Sequence, residues 1–331
     1  MSLQTRHIPD RLDRPLTALL LSWEVLLLVV AISVFIFNSF ASPHFLDVWT
    51  LSDMTFNFTE KALLALPMAL LIIAGEIDLS VAAIIAISST LMGFAAQFGF
   101  QTPTLICIGL IVGLACGAFN GALVTGLGLP SIVVTIGTLS LFRGLAFIIL
   151  GDQVYKNYPT SFDYFGQGYV IWVISFELVL FLVMALVFGF LLHFTTFGRK
   201  LYFIGRNPVS TQFSGVNVKR IKFILFCLTG VMSGMVSIAL TSRLGSTRPS
   251  IAQGYELEAI TMVVLGGVAI SGGAGTIPGV VLAALIMGLV TFGFGLLNVP
   301  GIVMSIFVGF LLIGVIALPL LWKRFLWVIK K

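Results

Sequence analysis

The amino-acid sequence predicts an all-α, polytopic membrane protein with about ten transmembrane helices. Of its 331 residues, 59% are hydrophobic and 9% are charged, and the mean hydropathy is +1.12. Soluble domains instead have about 45–50% apolar and about 25% charged residues. Because a helix needs about 20 residues to cross about 30 Å of hydrocarbon, ten crossings leave only short loops. No soluble domain of ordinary size is expected.

Polar residues and Gly/Pro clusters divide the chain into ten apolar runs. We expect a cytoplasmic arm at 1–16, one transmembrane domain at 17–322 and a cytoplasmic tail at 323–331. The first run is too long for the apolar core of a cleavable signal, so we expect it to stay attached. The runs are 17–41, 61–75, 80–98, 103–126, 129–150, 168–194, 221–241, 258–271, 276–297 and 299–321.

The distribution of basic residues predicts the orientation in the membrane. The arm, the loop at 195–222 and the tail together carry 13 Lys and Arg, whereas the loops at 42–60, 151–167 and 242–258 carry three. Lys and Arg accumulate in cytoplasmic loops. We therefore expect both termini and the 195–222 loop in the cytoplasm. That loop has six basic residues and no acidic ones: Arg199, Lys200, Arg206, Lys219, Arg220 and Lys222.

Two of the apolar runs are too short for a full crossing. The runs 61–75 and 258–271 end in the turn-forming clusters GEIDLS and GGVAISGGAG. This pattern predicts broken helices, whose irregular backbone is shielded by protein or lines a cavity. The alternative is a tilted helix or a misplaced boundary. A weak echo between 123–125 and 289–291, both Leu-Val-Thr, also suggests inverted repeats.

Small residues in the spans are interpreted as packing groups. Gly113, Gly117 and Gly121 recur every four residues, which lets a neighbouring helix backbone approach closely. The three cysteines lie in apolar runs and form no CxxC motif, so neither a metal site nor a disulfide is expected.

Ionisable residues inside apolar runs are candidates for the substrate path, because each is costly to bury unpaired in a membrane. The candidates are Glu76, Asp78 and Arg143. Asp78 and Ser80 also precede a new apolar run, where their oxygens fit the role of a helix cap. Glu177 lies near the start of its run, and we expect it to reach the headgroup region.

Missing motifs narrow the function. The chain has no GxxxxGK[ST] sequence, so it has no P-loop for ATP, and it has no HExxH sequence. Its three histidines do not lie beside a plausible nucleophile deep in a span, so no catalytic residue and no cofactor are expected. A transporter driven by partner subunits is favoured. A self-sufficient ion-coupled carrier using Glu76, Asp78 and Arg143 as its relay, and an intramembrane enzyme, are the alternatives.

Four blocks of sequence resemble one family. They are IAGEIDLSVAA at 73–83, PSIVVTIGTLSLFRGLAF at 130–147, GRNPVSTQFSGVNVKRIK at 205–222 and GYELEAITMVVLGGVAISGGAGTIPG at 254–279. In this order they closely resemble the permeases of bacterial ABC importers for monosaccharides, a group that includes ribose, rhamnose and autoinducer-2 permeases. The resemblance extends from about residue 45 to the end of the chain.

The resemblance implies a type II-like permease in the inner membrane that translocates a monosaccharide or similar small polyol. It implies four kinds of contact: with a second permease chain, identical or different, with two ATP-binding subunits that hydrolyse ATP, with a periplasmic sugar-binding protein, and with the membrane. Glu76 stands where the family most often has glycine. We therefore favour a rhamnose-type deoxyhexose, with ribose or autoinducer-2 as the alternatives.

The resemblance also implies a coupling helix in the 195–222 loop, which docks on the ATPase. Gly205, Asn207, Ser214 and Gly215 match the family pattern. Residues 210–212, Ser-Thr-Gln, replace the more usual small alanines, which implies a more polar docking face. The expected ATPase-coupling residues are Gly205, Arg206, Asn207, Ser210, Ser214 and Gly215.

Overall fold

The computed structural model describes residues 22–151 and 153–314, in which helices dominate. The predicted arm at 1–16 and tail at 323–331 lie outside the described residues. A 3₁₀ turn at Thr160–Phe162 and two short strands, β1 (Tyr169–Ile171) and β2 (Ile174–Ser175), are the described non-α elements. The helices are α1 (Trp23–Ala41), α2 (Val48–Ile73), α3 (Val81–Gln97), α4 (Thr102–Gly126), α5 (Ser131–Leu150), α6 (Tyr164–Gln167), α7 (Phe176–Phe194), α8 (Thr196–Arg206), α9 (Pro208–Phe213), α10 (Val218–Leu244), α11 (Tyr255–Leu265), α12 (Ile277–Leu296) and α13 (Gly301–Gly314).

The prediction of an all-α polytopic membrane protein is confirmed. Within the described residues, seven helices are long and apolar enough to cross a membrane: α1, α2, α4, α5, α7, α10 and α12. Helices α3 and α13 are apolar but shorter. The predicted number of ten crossings is not confirmed, because α11 has only 11 residues.

The helix bundle has two ends that differ in chemistry. We call the end that contains residues 195–217 the basic end; the segments at 74–80 and 266–276 also lie there, since Lys222 pairs with Glu76 and Gly273 N–H donates to Ile73 O over 2.8 Å. The opposite end, which we call the far end, contains residues 153–175 and 245–254. These two far-end segments are joined by a β-bridge between Tyr155 and Thr247.

Helix α2 forms the centre of the bundle. Every residue from Ala62 to Ile73 is buried, as expected for a stretch that is apolar on all sides. Helices α7, α10, α11 and α12 pack around it. In contrast, much of α1 and α7 is exposed, and the exposed side chains are large and apolar. These helices form the surface that faces lipid.

The glycine repeat in α4 brings two backbones together, as predicted. Gly113 and Gly117 lie against Gly230 and Gly234 of α10. A Cβ atom on Gly113 would overlap the carbonyl oxygen of Gly230, and one on Gly117 would overlap that of Phe226. The repeat is therefore scaffold, because it permits an approach that larger residues would block.

Two predicted boundaries are wrong. Residues 48–60 were predicted as part of the loop at 42–60, but they form the first half of α2. Two of their hydroxyls, those of Ser52 and Thr55, bond to the β1–β2 ribbon at the far end. For example, the Ser52 hydroxyl donates to Val173 O over 2.6 Å. The predicted run 168–194 becomes helical only at Phe176, because residues 169–175 form the β1–β2 ribbon. The echo at 123–125 and 289–291 lies in α4 and α12, and the inverted repeat stays a prediction.

Candidate functional site

Residues 195–217 fold as two short helices for local reasons. Thr195 caps α8, with its hydroxyl oxygen accepting from Gly198 N–H over 3.3 Å. Asn207 ends α8 and caps α9, where its side chain accepts from Ser210 N–H over 3.0 Å. Pro208 occupies the first position of α9, where its missing N–H costs no hydrogen bond. Gly215 adopts a left-handed conformation with φ +82° and ends this segment.

Helix α8 is strongly amphipathic. Leu201 and Ile204 are buried against the bundle, whereas Arg199 and Lys200 are exposed. Its Tyr202 hydroxyl donates to Gly275 O over 2.7 Å. Burial raises the pKa of the Tyr202 phenol, so that it keeps its proton and remains a donor. Helix α8 is therefore fixed to the segment at 266–276.

The two predicted helix breaks end their helices in the same way. After α2, Gly75 has φ +82° and Glu76 N–H donates to Leu71 O over 3.0 Å. After α11, Gly267 has φ +86° and Val268 N–H donates to Val263 O over 3.2 Å. Both are left-handed glycine terminations, which satisfy carbonyls that the helix leaves free. The turn-forming clusters therefore end both helices. For the run 61–75 the alternative of a misplaced boundary is correct, because α2 begins at Val48 and its 26 residues are enough to cross a membrane.

The breaks meet at one point, beneath α8. Gly273 N–H donates to Ile73 O, and Gly205 of α8 lies directly against this bond. A Cβ atom on Gly205 would overlap both Ile73 O and Gly273 N. A Cβ on Gly272 would lie 3.1 Å from the Cα of Gly205 and 3.2 Å from that of Gly75. We call this contact the glycine junction; it consists of Ile73, Gly75, Gly205, Gly272 and Gly273.

The outward surface of residues 203–213 carries exposed apolar side chains. Phe203 is 60% exposed, Val209 is 61% exposed and Phe213 is 89% exposed. These three residues lie in a polar, basic segment at the end of the bundle, where a lipid-facing role does not explain them. We call them the apolar contact surface.

Of the six predicted coupling residues, Gly205 is half-buried against the glycine junction. Arg206, Asn207, Ser210, Ser214 and Gly215 are exposed. Ser214 Oγ donates to Ser210 O over 3.1 Å, so these two serines stabilise the end of α9. The structure brings the six residues into one continuous segment. The sequence analysis did not predict the apolar contact surface, although Val209 and Phe213 are large apolar residues in a mostly polar stretch.

Glu76 and Asp78 both lie in the first break, but in different surroundings. Glu76 forms an ion pair with Lys222 at the start of α10. Asp78 is fully buried; its Oδ1 accepts from Ser80 N–H over 2.8 Å and from Ser80 Oγ over 2.6 Å, and Oδ2 accepts from Thr229 Oγ1 over 3.2 Å. Ser80 is the first residue before α3, but its hydroxyl makes no capping bond. The predicted cap is thus replaced by a buried network.

Arg143 lies inside the bundle on α5 and contacts backbone. Its guanidinium NH1 donates to Pro249 O over 2.8 Å and to Ile251 O over 2.7 Å. Both carbonyls belong to the irregular segment 245–254, which enters the bundle from the far end. Irregular backbone at membrane depth needs such partners, because lipid supplies none. Arg143 therefore holds this segment in place.

A buried ionic network in the far half of the bundle was missed. Glu60 of α2 is fully buried and is bound by Arg243, with Nε to Oε1 and NH2 to Oε2 both at 2.9 Å, and by the Tyr255 hydroxyl at 3.2 Å. The adjacent Lys61 pairs with Glu258 at 2.6 Å. The sequence predicts loops at 42–60 and 242–258, whereas Glu60, Arg243 and Glu258 lie in helices α2, α10 and α11. The sequence feature that could have indicated this network is the position of Glu60 and Lys61 at the start of an apolar run.

Glu177 also belongs to the buried region rather than to the headgroup region. It is fully buried at the start of α7, where its Oε2 accepts from Thr59 Oγ1 over 3.2 Å. The prediction that it reaches the surface is wrong, because the β1–β2 ribbon and α2 cover the start of α7.

The comparisons with known proteins agree with this architecture. A family model for the permease component of the branched-chain amino acid transport system matches residues 50–316. The chain is 33% identical over 302 residues to the autoinducer 2 import system permease protein LsrD of Enterobacter sp. (strain 638), covering 89% of this chain and 92% of that protein. It is likewise 33% identical over 318 residues to the LsrD of Klebsiella pneumoniae subsp. pneumoniae, covering 93% and 96%.

LsrD of Salmonella typhimurium is a third such relative, at 33% identity over 301 residues, covering 89% of this chain and 90% of that protein. No solved structure matches the chain. The preference for a rhamnose-type sugar is not confirmed by these relatives. The match over most of the chain and the membrane-spanning helices show that the chain belongs to the permease family of ABC importers, as a multi-pass transport subunit and not an enzyme.

Proposed function

We propose that this chain translocates a small polyol across the inner membrane and that ATP hydrolysis in partner subunits drives it through the 195–217 segment. The observation that carries the proposal is the glycine junction, where α8 lies on the ends of both broken helices. A partner that moves α8 thereby acts on the contact where both breaks meet. In this proposal the six predicted coupling residues move together as one segment, and Gly205 is the residue through which this segment contacts the two breaks.

The ATP-binding subunit is proposed to dock on the apolar contact surface. Phe203, Val209 and Phe213 provide exposed apolar area, and the basic side chains around them favour an acidic rim on the partner. Because an ATPase works in the cytoplasm, the basic end is then cytoplasmic. This agrees with the charge bias, and both termini are proposed to lie on the same side.

The remaining partners are proposed from the same architecture. The far end then faces the periplasm and receives solute from a sugar-binding protein. A second permease chain, identical or different, completes the path. Glu76, Asp78 and Arg143 are proposed to shape that path indirectly, by holding the segments at 74–80 and 245–254 through the bonds described above.

For the substrate we propose a monosaccharide or similar small polyol. The names of the relatives favour an autoinducer-2-like molecule over ribose or a rhamnose-type deoxyhexose. An uptake assay with these three solutes in the reconstituted transporter ranks them directly.

Docking is tested by replacing Phe213 with Asp and measuring co-purification with the ATP-binding subunit. We expect the Phe213→Asp variant to lose the ATPase, because a hot-spot aromatic contributes about 2 kcal/mol or more to an interface. Phe98→Asp is the matched control: Phe98 is 68% exposed at the far end, and we expect this variant to retain the ATPase. Normal co-purification of Phe213→Asp would contradict the docking surface.

The alternative of an ion-coupled carrier has its own test. The purified chain alone is placed in liposomes, and sugar uptake is measured under a proton or a sodium gradient. We expect no uptake until the partner subunits and ATP are supplied. Gradient-driven uptake by the chain alone would overturn the proposed function.

A further inference from the structure

The far half of the bundle contains a cavity that the coupling segment does not reach. It has a volume of about 560 Å³ and lies between α2, α11, α12 and α13. Ligand pockets typically have about 300–1,000 Å³, so this cavity accommodates one monosaccharide-sized molecule. Its wall includes the side chains of Asn57, Lys61, Gln253, Glu258, Thr291 and Phe292.

The charges in the cavity wall compensate each other. Lys61 Nζ lies 2.6 Å from Glu258 Oε2 and 5.0 Å from the centre of the Tyr255 ring. Behind them, Glu60 is bound by Arg243. A charged solute in this cavity would find no unpaired residue of opposite charge among these side chains. The cost of removing the solute's hydration shell would therefore oppose its binding. The wall is therefore suited to a neutral ligand.

The uncharged polar groups offer the mixture of hydrogen-bond partners that hydroxyl groups need. Thr291 Oγ1 donates to Met287 O over 2.8 Å, which leaves its lone pairs to accept. Asn57 Nδ2 donates to Asp53 O over 3.2 Å, which leaves its carbonyl oxygen to accept. The exposed amide of Gln253 supplies both donors and an acceptor. Phe292 gives an apolar surface for the carbon–hydrogen face of a ring.

We propose that this cavity is a binding site, within a single chain, for one small neutral polyol in the far half of the bundle. The proposal deepens the proposed function and rests on it for the class of solute. The uncharged groups of Asn57, Gln253 and Thr291 bind the hydroxyls, and the Lys61–Glu258 pair keeps the wall neutral.

Protection of an introduced cysteine tests occupancy without any transport. The variant Ser305→Cys, at an exposed wall residue that is not one of the three hydroxyl-binding groups, is made in a background in which the three native cysteines are replaced by serine. The purified full chain in nanodiscs is labelled with maleimide in the presence of D-ribose, L-rhamnose or autoinducer-2. At least one solute is expected to slow labelling about tenfold at ten times its Kd. Gln97→Cys, exposed on α3 outside the cavity, is the control and is expected to label at one rate throughout.

Selectivity for a neutral ligand is tested with D-ribose 5-phosphate. This anion is expected to leave the labelling of Ser305→Cys unchanged. Equal protection of Ser305→Cys and Gln97→Cys, no protection by any of the three neutral solutes, or protection by the phosphate that matches the neutral sugar would each overturn the site.

Transport separates failure of the site from failure of the proposed function. In the transporter assembled with its partners, Gln253→Leu is expected to lower maximal ATP-driven uptake about tenfold, and Gln97→Leu to leave it unchanged. Uptake that is ATP-driven but insensitive to Gln253→Leu overturns the site alone. Solute protection of Ser305→Cys without ATP-driven uptake by the wild-type assembly overturns the proposed function alone.

Discussion

The segment at 74–80 and the segment at 266–276 both contain a left-handed glycine near their start, Gly75 and Gly267, and yet different groups hold them. The first is held by side chains: Asp78 bonds to Ser80 and Thr229, and Glu76 pairs with Lys222. The second contains five glycines and is held by backbone bonds, by α8 and, at its last residue, by the Thr276 hydroxyl, which donates to Glu24 Oε1 over 2.9 Å. Side chains anchor the first break within the bundle, whereas backbone bonds and α8 hold the glycine-rich part of the second.

This difference indicates which break responds to a partner subunit. Ionic and hydroxyl bonds in a buried setting resist displacement, since a separated polar group loses its partner and finds no water. Glycine backbone has more conformations open to it and fewer side-chain contacts to break. We therefore expect the 266–276 segment to move with α8, while the 74–80 segment keeps its geometry.

The strongest test of the comparison is a larger residue at the glycine junction. Gly205→Val places carbon atoms where Ile73 O and Gly273 N now lie. We expect it to destabilise the chain by about 3 kcal/mol, because the backbone on both sides must shift. The thermal unfolding midpoint in detergent and ATP-driven uptake are both expected to fall. Gly137→Val is the control, since no atom lies within 4 Å of a Cβ there; equal effects at the two positions would contradict the junction.

The second test removes the anchor of the first break. Asp78→Ala leaves the Ser80 N–H and hydroxyl without their acceptor, whereas the Thr229 hydroxyl keeps Phe226 O at 2.9 Å. We expect a loss of about 2 kcal/mol in stability, since these buried donors find no water. Thermal unfolding measures it, with the exposed Asp53→Ala as control. An unchanged midpoint for Asp78→Ala would show that the first break is not anchored by side chains.

The smallest expected effect concerns the Glu76–Lys222 pair. Both side chains are partly accessible, so Glu76→Gln is expected to cost about 1 kcal/mol or less. The exchanged double variant, Glu76→Lys with Lys222→Glu, is expected to recover most of that loss in the same unfolding measurement. A double variant less stable than either single variant would show that the pairing itself contributes nothing.

Much of this site was predictable because clusters of glycine and of basic residues can be recognised directly in the sequence. The breaks after Ile73 and Leu265 follow from turn-forming clusters inside apolar runs, and the basic segment at 195–222 follows from its composition. The buried network around Glu60 was not predictable in the same way. The polar residues at 48–60 predicted a loop. The partners that bind Glu60, Arg243 and Tyr255, are 183 and 195 positions away along the chain, so the sequence around Glu60 does not show them.

The sequence by itself determined the membrane-spanning class, the family blocks and the basic segment at 195–222 with its six Lys and Arg residues. These features depend on composition and on local backbone preference, which neighbouring residues set. Only the tertiary structure decided that Gly205 closes on Ile73 and Gly273, that Arg143 binds the carbonyls of Pro249 and Ile251, and that the far half encloses a cavity. Each of these depends on contacts between segments far apart in the chain, whose geometry is fixed when the helices pack.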